Sequence, residues 1–155
     1  MTLAEGVKTR SFLDGLTQVQ LSKLVAISQE MNVAEDERIL SAGEQSKSFY
    51  VLKSGHVCVE VVAPCFQVCI QVLGPGEAFG WSALLDHHDT LFQVRAREDC
   101  KVLCLDGNDL NTVLRNDPEL AATVLRRTLA LVATRVQATE TRLAELCGVR
   151  LARDL

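Results

Sequence analysis

The sequence predicts one mainly β domain with flanking helices: a double-stranded β-helix, or jelly roll, followed by a long C-terminal helix. Two observations predict it. Residues 33–106 contain short runs rich in β-branched residues with turn signals between them, and from residue 107 the hydrophobic period becomes helical. The chain has 155 residues, 48% of them hydrophobic, which is enough for one core and too little for two. We therefore expect a single domain over residues 1–155.

The N-terminal helical region is predicted to span residues 12–32. Thr17 and Gln20 have the spacing of a capping box, in which each side chain accepts from the other residue's backbone N–H. Leu21 and Leu24 follow at helical spacing. This pattern predicts a helix of about three turns.

The β-roll is predicted to span residues 33–106. In the run HVCVEV, Val57, Val59 and Val61 alternate with other residues, as they would in a strand with one buried face. Glycine and proline separate the successive short runs. These runs read ERIL, SFYVL, HVCVEVV, FQVCIQVL, LFQVRA and CKVLCL. Short strands at such close spacing predict a small jelly roll.

The C-terminal helices are predicted to span residues 107–146, with a short helix from Gly107 to Arg115 and a long one opened by Pro118. Apolar residues of the long helix are spaced alternately by four and three, which is the heptad pattern of a coiled-coil seam. We expect these residues to form the seam of a homodimer, and the alternative is a face packed on the β-roll. The predicted seam residues are Leu125, Leu129, Val132, Val136, Thr139 and Leu143, followed by Leu146.

Charge and hydropathy exclude two classes of partner. The formal net charge of -4 argues against a surface built for nucleic-acid phosphates, so we expect no direct nucleic-acid contact. The N-terminus lacks a signal-like apolar stretch, and Arg126, Arg127 and Arg135 interrupt the most apolar later segment. We expect a cytoplasmic protein without membrane contact.

The six cysteines do not predict a disulfide framework or a metal site. They include no CxxC pair, and four of them lie in strand-like runs. Free cysteine commonly packs as a small hydrophobic residue, so we expect reduced and mostly buried thiols. The six are Cys58, Cys65, Cys69, Cys100, Cys104 and Cys147.

Four segments resemble the cyclic-nucleotide-binding domains of the catabolite activator and Crp-Fnr regulators. FLDGLTQVQLSKL is similar to the opening helix of that family and DERILSAGEQSKSFYVLKSGHVCVEV to its first hairpins. LGPGEAFGWSALL, residues 73–85, is similar to its phosphate-binding cassette, and VRAREDCKVLCLDGNDLNTVLRNDPEL to its closing strands and following helices. The resemblance covers residues 12–145 and implies the family's β-roll with a regulatory, non-enzymatic role.

The cassette departs from the family pattern at two positions. In the family, a glutamate accepts from the ribose hydroxyl and an arginine pairs with the cyclic phosphate. Trp81 stands at the glutamate position and Thr90 at or next to the arginine position. Arg95 and Arg97 share a strand face with Gln93 and are expected to face solvent. Cyclic AMP and cyclic GMP are therefore expected to bind weakly or not at all.

The backbone of the cassette remains as a candidate ligand site. The amides after Gly80 and the hydroxyl of Ser82 could hold a carboxylate or a small anion weakly. Trp81 could stack on a planar ligand, but we expect its ring to plug the pocket, because an apolar ring tends to be buried. The candidate ligand-binding residues are Phe79, Gly80, Trp81, Ser82, Ala83 and Thr90.

No enzymatic chemistry is predicted. His56 stands alone, without the histidine and glutamate spacing that metal-dependent jelly-roll enzymes use. We predict no cofactor or metal, and expect His87 and His88 to lie in a hydrated loop. Because some gas-sensing relatives bind haem through histidine, ligation by His87 or His88 is the alternative.

These observations favour a non-enzymatic regulatory or sensor module that responds to an unidentified small ligand or protein partner and dimerises through its last helix. One alternative is a purely structural dimerisation scaffold whose pocket Trp81 closes. Another is the sensory part of a transcriptional regulator without its DNA-binding domain, since such regulators continue past the long helix.

Overall fold

A computed structural model describes residues 11–86 and 88–148 of the chain. In these two ranges, four helical elements accompany eight strands. In chain order they are α1 (Gln18–Ala26), β1 (Ser28–Val33), β2 (Arg38–Leu40), β3 (Ser48–Ser54), β4 (Val57–Ala63), β5 (Phe66–Leu73), β6 (Ala78–Phe79), a 3-10 helix (Trp81–Leu84), β7 (Phe92–Ala96), β8 (Cys100–Asp106), α2 (Gly107–Asn116) and α3 (Pro118–Cys147).

The strands form two antiparallel four-stranded sheets, in the orders β1-β8-β3-β6 and β2-β7-β4-β5. Side chains from both sheets share one apolar cluster, to which Leu52 and Val102 contribute from the first sheet and Val59 and Val94 from the second. This inter-sheet core is the interior of a jelly roll. The predicted fold class is confirmed.

A second apolar cluster lies between the first sheet and the helices. Phe49 and Val51 alternate along β3 with inter-sheet residues and so project toward the helical side. There Phe49 lies with its ring centroid 5.0 Å from that of Phe12, and Leu120 and Val124 of α3 complete the cluster. The first half of α3 is therefore anchored to the roll by burial of apolar surface.

The N-terminal region differs from its prediction. The capping box is present, with Thr17 and Gln20 exchanging backbone-to-side-chain hydrogen bonds of 3.1 Å. The helix, however, ends at Ala26, and Ser28–Val33 forms edge strand β1, so the β-roll begins before residue 33. Pairing with β8 supplies the backbone hydrogen bonds of β1, and only Val33 of the strand is buried. An edge strand with so little apolar alternation carries a weak sequence signal.

The C-terminal helices agree with the sequence to within one residue. The Asp106 carboxylate accepts from the backbone N–H groups of Asn108 and Asp109 at the start of α2. Asp117 caps α3 in the same way, with Pro118 in the first turn. Gly148, at a φ of +68°, ends α3 in the left-handed conformation that glycine adopts readily.

Cys58 and Glu60 of β4, which alternate with the inter-sheet valines, are also buried. Glu60 is 2% exposed because Gln93 and Arg95 of neighbouring β7 lie over it on the outer face of the second sheet. Two Arg95 nitrogens donate to the two Glu60 carboxylate oxygens at 2.9 and 3.1 Å. This fork satisfies a carboxylate that would be costly to bury unpaired.

The cysteines are free, as expected, but they are less buried than predicted. Cys58 and Cys100 are buried, whereas Cys65 and Cys147 are exposed because one follows the β4–β5 turn residue Pro64 and the other ends α3. Burial, with the neighbouring Cys69 thiol, raises the pKa of Cys58 to about 12, which keeps it protonated at neutral pH.

Within the described residues, no helix combines the length and the apolar composition that a membrane-spanning segment requires.

Candidate functional site

The cassette turns sharply between β6 and its 3-10 helix. Gly80 adopts a φ of +80°, and a Cβ at this position would lie 2.7 Å from the Ser48 carbonyl oxygen and 2.9 Å from the Tyr50 ring. The left-handed turn and the close approach both require glycine. They bring the backbone of Trp81 and Ser82 against β3.

The short helix is fixed by the loop before β3. The Ser82 hydroxyl accepts from the Ser46 N–H at 3.0 Å, and the Gln45 side-chain amide donates to the Ser82 carbonyl, also at 3.0 Å. Ser82 is 4% exposed. Its hydroxyl, predicted as a ligand contact, therefore has a structural partner.

Five of the six predicted cassette residues line one cavity of about 20 Å³, which has room for about one water molecule. Ala83 is not among them, because its side chain is buried against the start of α2. A Cβ added at Gly107 would lie 3.3 Å from the Ala83 Cβ. The lining residues are Leu40, Phe79, Gly80, Trp81, Ser82, Thr90, Phe92, Val94 and Arg135. Cavities that hold organic ligands are generally more than ten times larger.

Trp81 lies at the edge of this cavity. Its side chain packs against the apolar cluster between the first sheet and the helices, and its ring centroid is 5.3 Å from that of His88. The indole is therefore held by protein contacts on more than one side. This arrangement is the one expected of a plug rather than of an open stacking platform.

Thr90, which stands at or next to the position where the resemblance implies an arginine, carries a neutral hydroxyl. Its hydroxyl accepts from the Phe92 N–H at 3.1 Å, and its carbonyl accepts from the Gly43 N–H at 2.6 Å. Arg95 lies on the outer face of the sheet with Glu60, and Arg97 is exposed, so neither reaches the cavity. Both arginines are absent from the cavity lining, and Arg97 faces solvent as expected, whereas Arg95 is half-buried against Glu60.

Arg135 of α3 is the charged cavity residue that the sequence interpretation missed, and three apolar ones, Leu40, Phe92 and Val94, were missed with it. It is 9% exposed, its Nε donates to Gln71 Oε1 at 2.8 Å, and its guanidinium lies 5.4 Å from the centroid of the Phe92 ring. In the described part of the chain, no carboxylate lies within ion-pair distance of it. Burial lowers the pKa of Arg135 to about 10, so the group remains charged at neutral pH.

A helical signal for Arg135 was available in the sequence. Val124, Thr128, Leu131 and Arg135 recur at helical spacing, each one residue before a member of the heptad seam, so their face lies about 100° around the helix from the seam. The first two are buried against the roll, which places Arg135 on the same side. In the sequence interpretation, Arg135 serves only as evidence that an apolar segment is interrupted, and is not placed in the cavity.

The heptad residues of α3 lie on its other face. Leu125, Leu129, Val136 and Leu143 are each at least half exposed, and Val132 and Thr139 are half-buried. None of these six residues belongs to either buried cluster. Most of this face is therefore exposed in the single chain, and Val132 and Thr139 are its half-buried members.

Two histidines in the loop after the cassette, His87 and His88, are candidate haem ligands. His87 lies outside the described residues, and His88 is half-buried against Trp81. Across the described ranges, no group of three or more His, Cys, Asp or Glu side chains is placed to hold a metal ion. Haem ligation by His87 or His88 stays a prediction.

Part of this chain is similar to curated proteins of known name. Patatin-like phospholipase domain-containing protein 6 of Homo sapiens is 27% identical over 75% of the chain. The chain spans less than a tenth of the length of the curated relatives it matches.

Solved structures show the same β-roll. The Thermus thermophilus catabolite activator protein is 25% identical, with a TM-score of 0.70 over 88% of this chain and 62% of that one. A cyclic nucleotide-binding domain from Methylobacillus flagellatus is 21% identical, with a TM-score of 0.74 over 84% of this chain and 74% of that one. Residues 30–117 match the model of the cyclic nucleotide-binding domain, so the chain belongs to the cyclic nucleotide-binding domain family.

Proposed function

We propose that this chain is a non-enzymatic regulatory module that does not bind cyclic AMP or cyclic GMP in the usual mode. It responds instead to a different ligand or to a protein partner, and it forms a homodimer through α3. The observation that carries this proposal is the cassette cavity of about 20 Å³, which is too small for a nucleotide.

The charges of the cavity support the same conclusion. Trp81 and Thr90 cannot form the charge-assisted hydrogen bonds that the family's glutamate and arginine make. Arg135 brings a cation to the cavity wall, but Gln71 and Phe92 already contact it. A cyclic phosphate would have to displace these contacts and find space that the closed cavity lacks.

The open seam of α3 supports the homodimer. Its apolar side chains repeat over three heptads and are left exposed by the folding of one chain, with Leu129 69% exposed and Leu143 61% exposed. Burying such a row against a second copy removes apolar surface from water. A dimer formed in this way places two cassettes on either side of one helical pair.

A structural scaffold is the second candidate function, and the closed cassette cavity is the observation that favours it. The two candidates differ in whether any small molecule stabilises the folded domain. A ligand that binds the folded state must raise the melting temperature, whereas a scaffold has no such ligand.

The proposal is tested by rebuilding the nucleotide site in steps. Trp81→Glu with Thr90→Arg restores the charged groups, and adding Arg135→Ser also removes the guanidinium from the cavity. At 1 mM cyclic AMP, chosen as about three times a regained dissociation constant, we expect a rise in melting temperature of at least about 2 °C only in the triple variant. Linear AMP serves as the matched control ligand.

Two outcomes would contradict the closed-cavity explanation. A rise of similar size in the wild type would show that the cavity opens for cyclic nucleotides. A rise in the double variant would show that only the two charges were missing and that space was not limiting.

A further inference from the structure

A larger groove lies beside the cassette cavity, between α3, strands β5 and β6, and the residues that precede α1. Its volume is about 400 Å³, within the range of cavities that hold small organic ligands. We call it the α3 groove. Its apolar wall includes Leu73, Ala78 and Leu131, and its polar wall includes Gln71, Arg127 and Arg135.

Arg135 belongs to the walls of both the α3 groove and the cassette cavity. It is nine-tenths buried, and its two contacts, Gln71 and the Phe92 ring, are neutral. Buried charges in proteins are usually paired with an opposite charge, because an uncompensated one is costly. Arg135 is thus a buried cation that is positioned to pair with an anion in the groove.

The other charges of the groove limit how many negative charges such an anion can carry. Arg127 is a second cation and donates to the Phe12 carbonyl oxygen. Asp14 and Glu77 also line the groove, where their carboxylates accept from backbone N–H groups at 2.9 Å. These two fixed negative charges repel a multiply charged anion such as a phosphate dianion more than a single carboxylate.

We propose that the α3 groove binds a monoanionic organic carboxylate whose charged group pairs with Arg135 and whose apolar body lies against Leu73, Ala78 and Leu131. A carboxylate matches the planar fork of a guanidinium. The proposal rests on the proposed function, because it names the class of ligand to which the regulatory module responds. Val136, the next residue of α3, belongs to the predicted dimer seam, so the ligand contacts the helix on which association depends.

The test uses 4-phenylbutyrate, its neutral isostere 4-phenylbutyramide and isothermal titration of the full chain. We expect 4-phenylbutyrate to bind with a dissociation constant of about 1 mM or tighter, and the amide to bind about 10- to 100-fold more weakly. Arg135→Gln should weaken carboxylate binding by a similar factor and leave amide binding unchanged. The two substitutions together form a double-mutant cycle that isolates the interaction between the guanidinium and the carboxylate.

Arg142→Gln is the matched control. Arg142 lies two turns further along the same face of α3, contacts the Cys69 carbonyl oxygen and Glu145, and lines neither cavity. This variant should bind 4-phenylbutyrate as the wild type does. Ala130→Trp places an indole at an exposed position of the groove wall and should abolish binding while the far-ultraviolet circular dichroism stays unchanged.

Equal affinity for the acid and the amide would overturn the proposal, as would absence of acid binding or an Arg135→Gln loss no larger than that of Arg142→Gln. If Arg135→Gln does not fold, the acid-to-amide ratio of the wild type and the Ala130→Trp variant decide the matter. Sedimentation of the same samples separates the two proposals. A dimer without acid binding refutes only the ligand class, and a monomer refutes the homodimer part of the proposed function.

Discussion

At the residue scale, Gly80 and Gly43 separate two reasons for needing a glycine. Their φ angles are +80° and +81°, but a Cβ at Gly43 would have no neighbour within 4 Å, whereas one at Gly80 would lie 2.7 Å from the Ser48 carbonyl oxygen. Backbone conformation is common to both positions. The close approach to β3 is specific to the cassette.

Gly80→Ala should therefore destabilise the domain more than Gly43→Ala does. We expect about 1–2 kcal/mol for Gly43→Ala, from the left-handed conformation alone. For Gly80→Ala we expect about 1–3 kcal/mol more, because the added methyl group meets fixed backbone. Urea unfolding measures both values, and equal losses would mean that the backbone beside the cassette moves freely.

A second residue-scale prediction concerns Glu60. The hydrogen bonds from Arg95 hold its pKa below the ordinary value of 4.5 in the folded state. A lowered pKa stabilises the fold above the unfolded-state pKa, and the contribution is lost as the pH falls through the folded-state value. Glu60→Gln should therefore cost about 1–3 kcal/mol at pH 7, and the difference from the wild type should shrink below pH 4.5.

Urea unfolding at neutral and acid pH checks this sign. The control is Glu30→Gln, which removes the exposed ion pair with Lys53 and should change stability much less. A Glu60→Gln cost that stays the same down to pH 3, well below the ordinary glutamate pKa, would show that packing rather than charge explains the burial of Glu60.

At the element scale, two faces of α3 have different surroundings. Its inner face places Val124, Thr128 and Arg135 against the roll, and its outer face leaves the heptad seam exposed. Val132→Glu with Val136→Glu should give a folded monomer, because a dimer would have to desolvate the added charges. Analytical ultracentrifugation at high micromolar concentration measures this, and the wild type should be a dimer.

The control for the seam is Ala133→Glu with Gln137→Glu. It adds the same two charges at the same spacing on exposed positions outside the seam, and should remain a dimer. A monomeric wild type would contradict the seam prediction. Loss of the β-roll in the Val132 and Val136 variant would assign those valines to the core instead.

The elements with a strong local pattern were predictable from the sequence. The α1 capping box, the alternating valines of β4 and the start of α3 at Pro118 all follow from local rules. Strand β1 was missed because its backbone pairs with β8, distant in sequence, and few of its side chains are buried. Such pairing leaves little trace in a local pattern.

Prediction of the site was less complete for the same reason. The cassette was located, and the missing charges at Trp81 and Thr90 were visible in the sequence. The size of the cavity and the contact of Arg135 with Gln71 depend on how α3 lies over β5, a relation between segments 64 residues apart. A local pattern in one segment carries no information on how two distant segments pack together.

At the scale of the whole molecule, the β-roll keeps the cassette turn, but the cavity beside that turn is small. Trp81 and Arg135 occupy its wall, and the remaining volume is about 20 Å³. The larger space lies in the α3 groove, at about 400 Å³. The α3 helix lines the groove and carries the predicted seam, so the proposed ligand and the proposed dimer would share one element.

Isothermal titration of the wild-type chain with cyclic AMP and cyclic GMP tests the central claim most directly. Each missing charge-assisted group accounts for roughly 1.5–3 kcal/mol, so the loss of both should weaken binding by about two to four orders of magnitude, before the lack of space is counted. We predict no saturable binding up to about 1 mM of either nucleotide. A low-micromolar dissociation constant for either one would contradict the account.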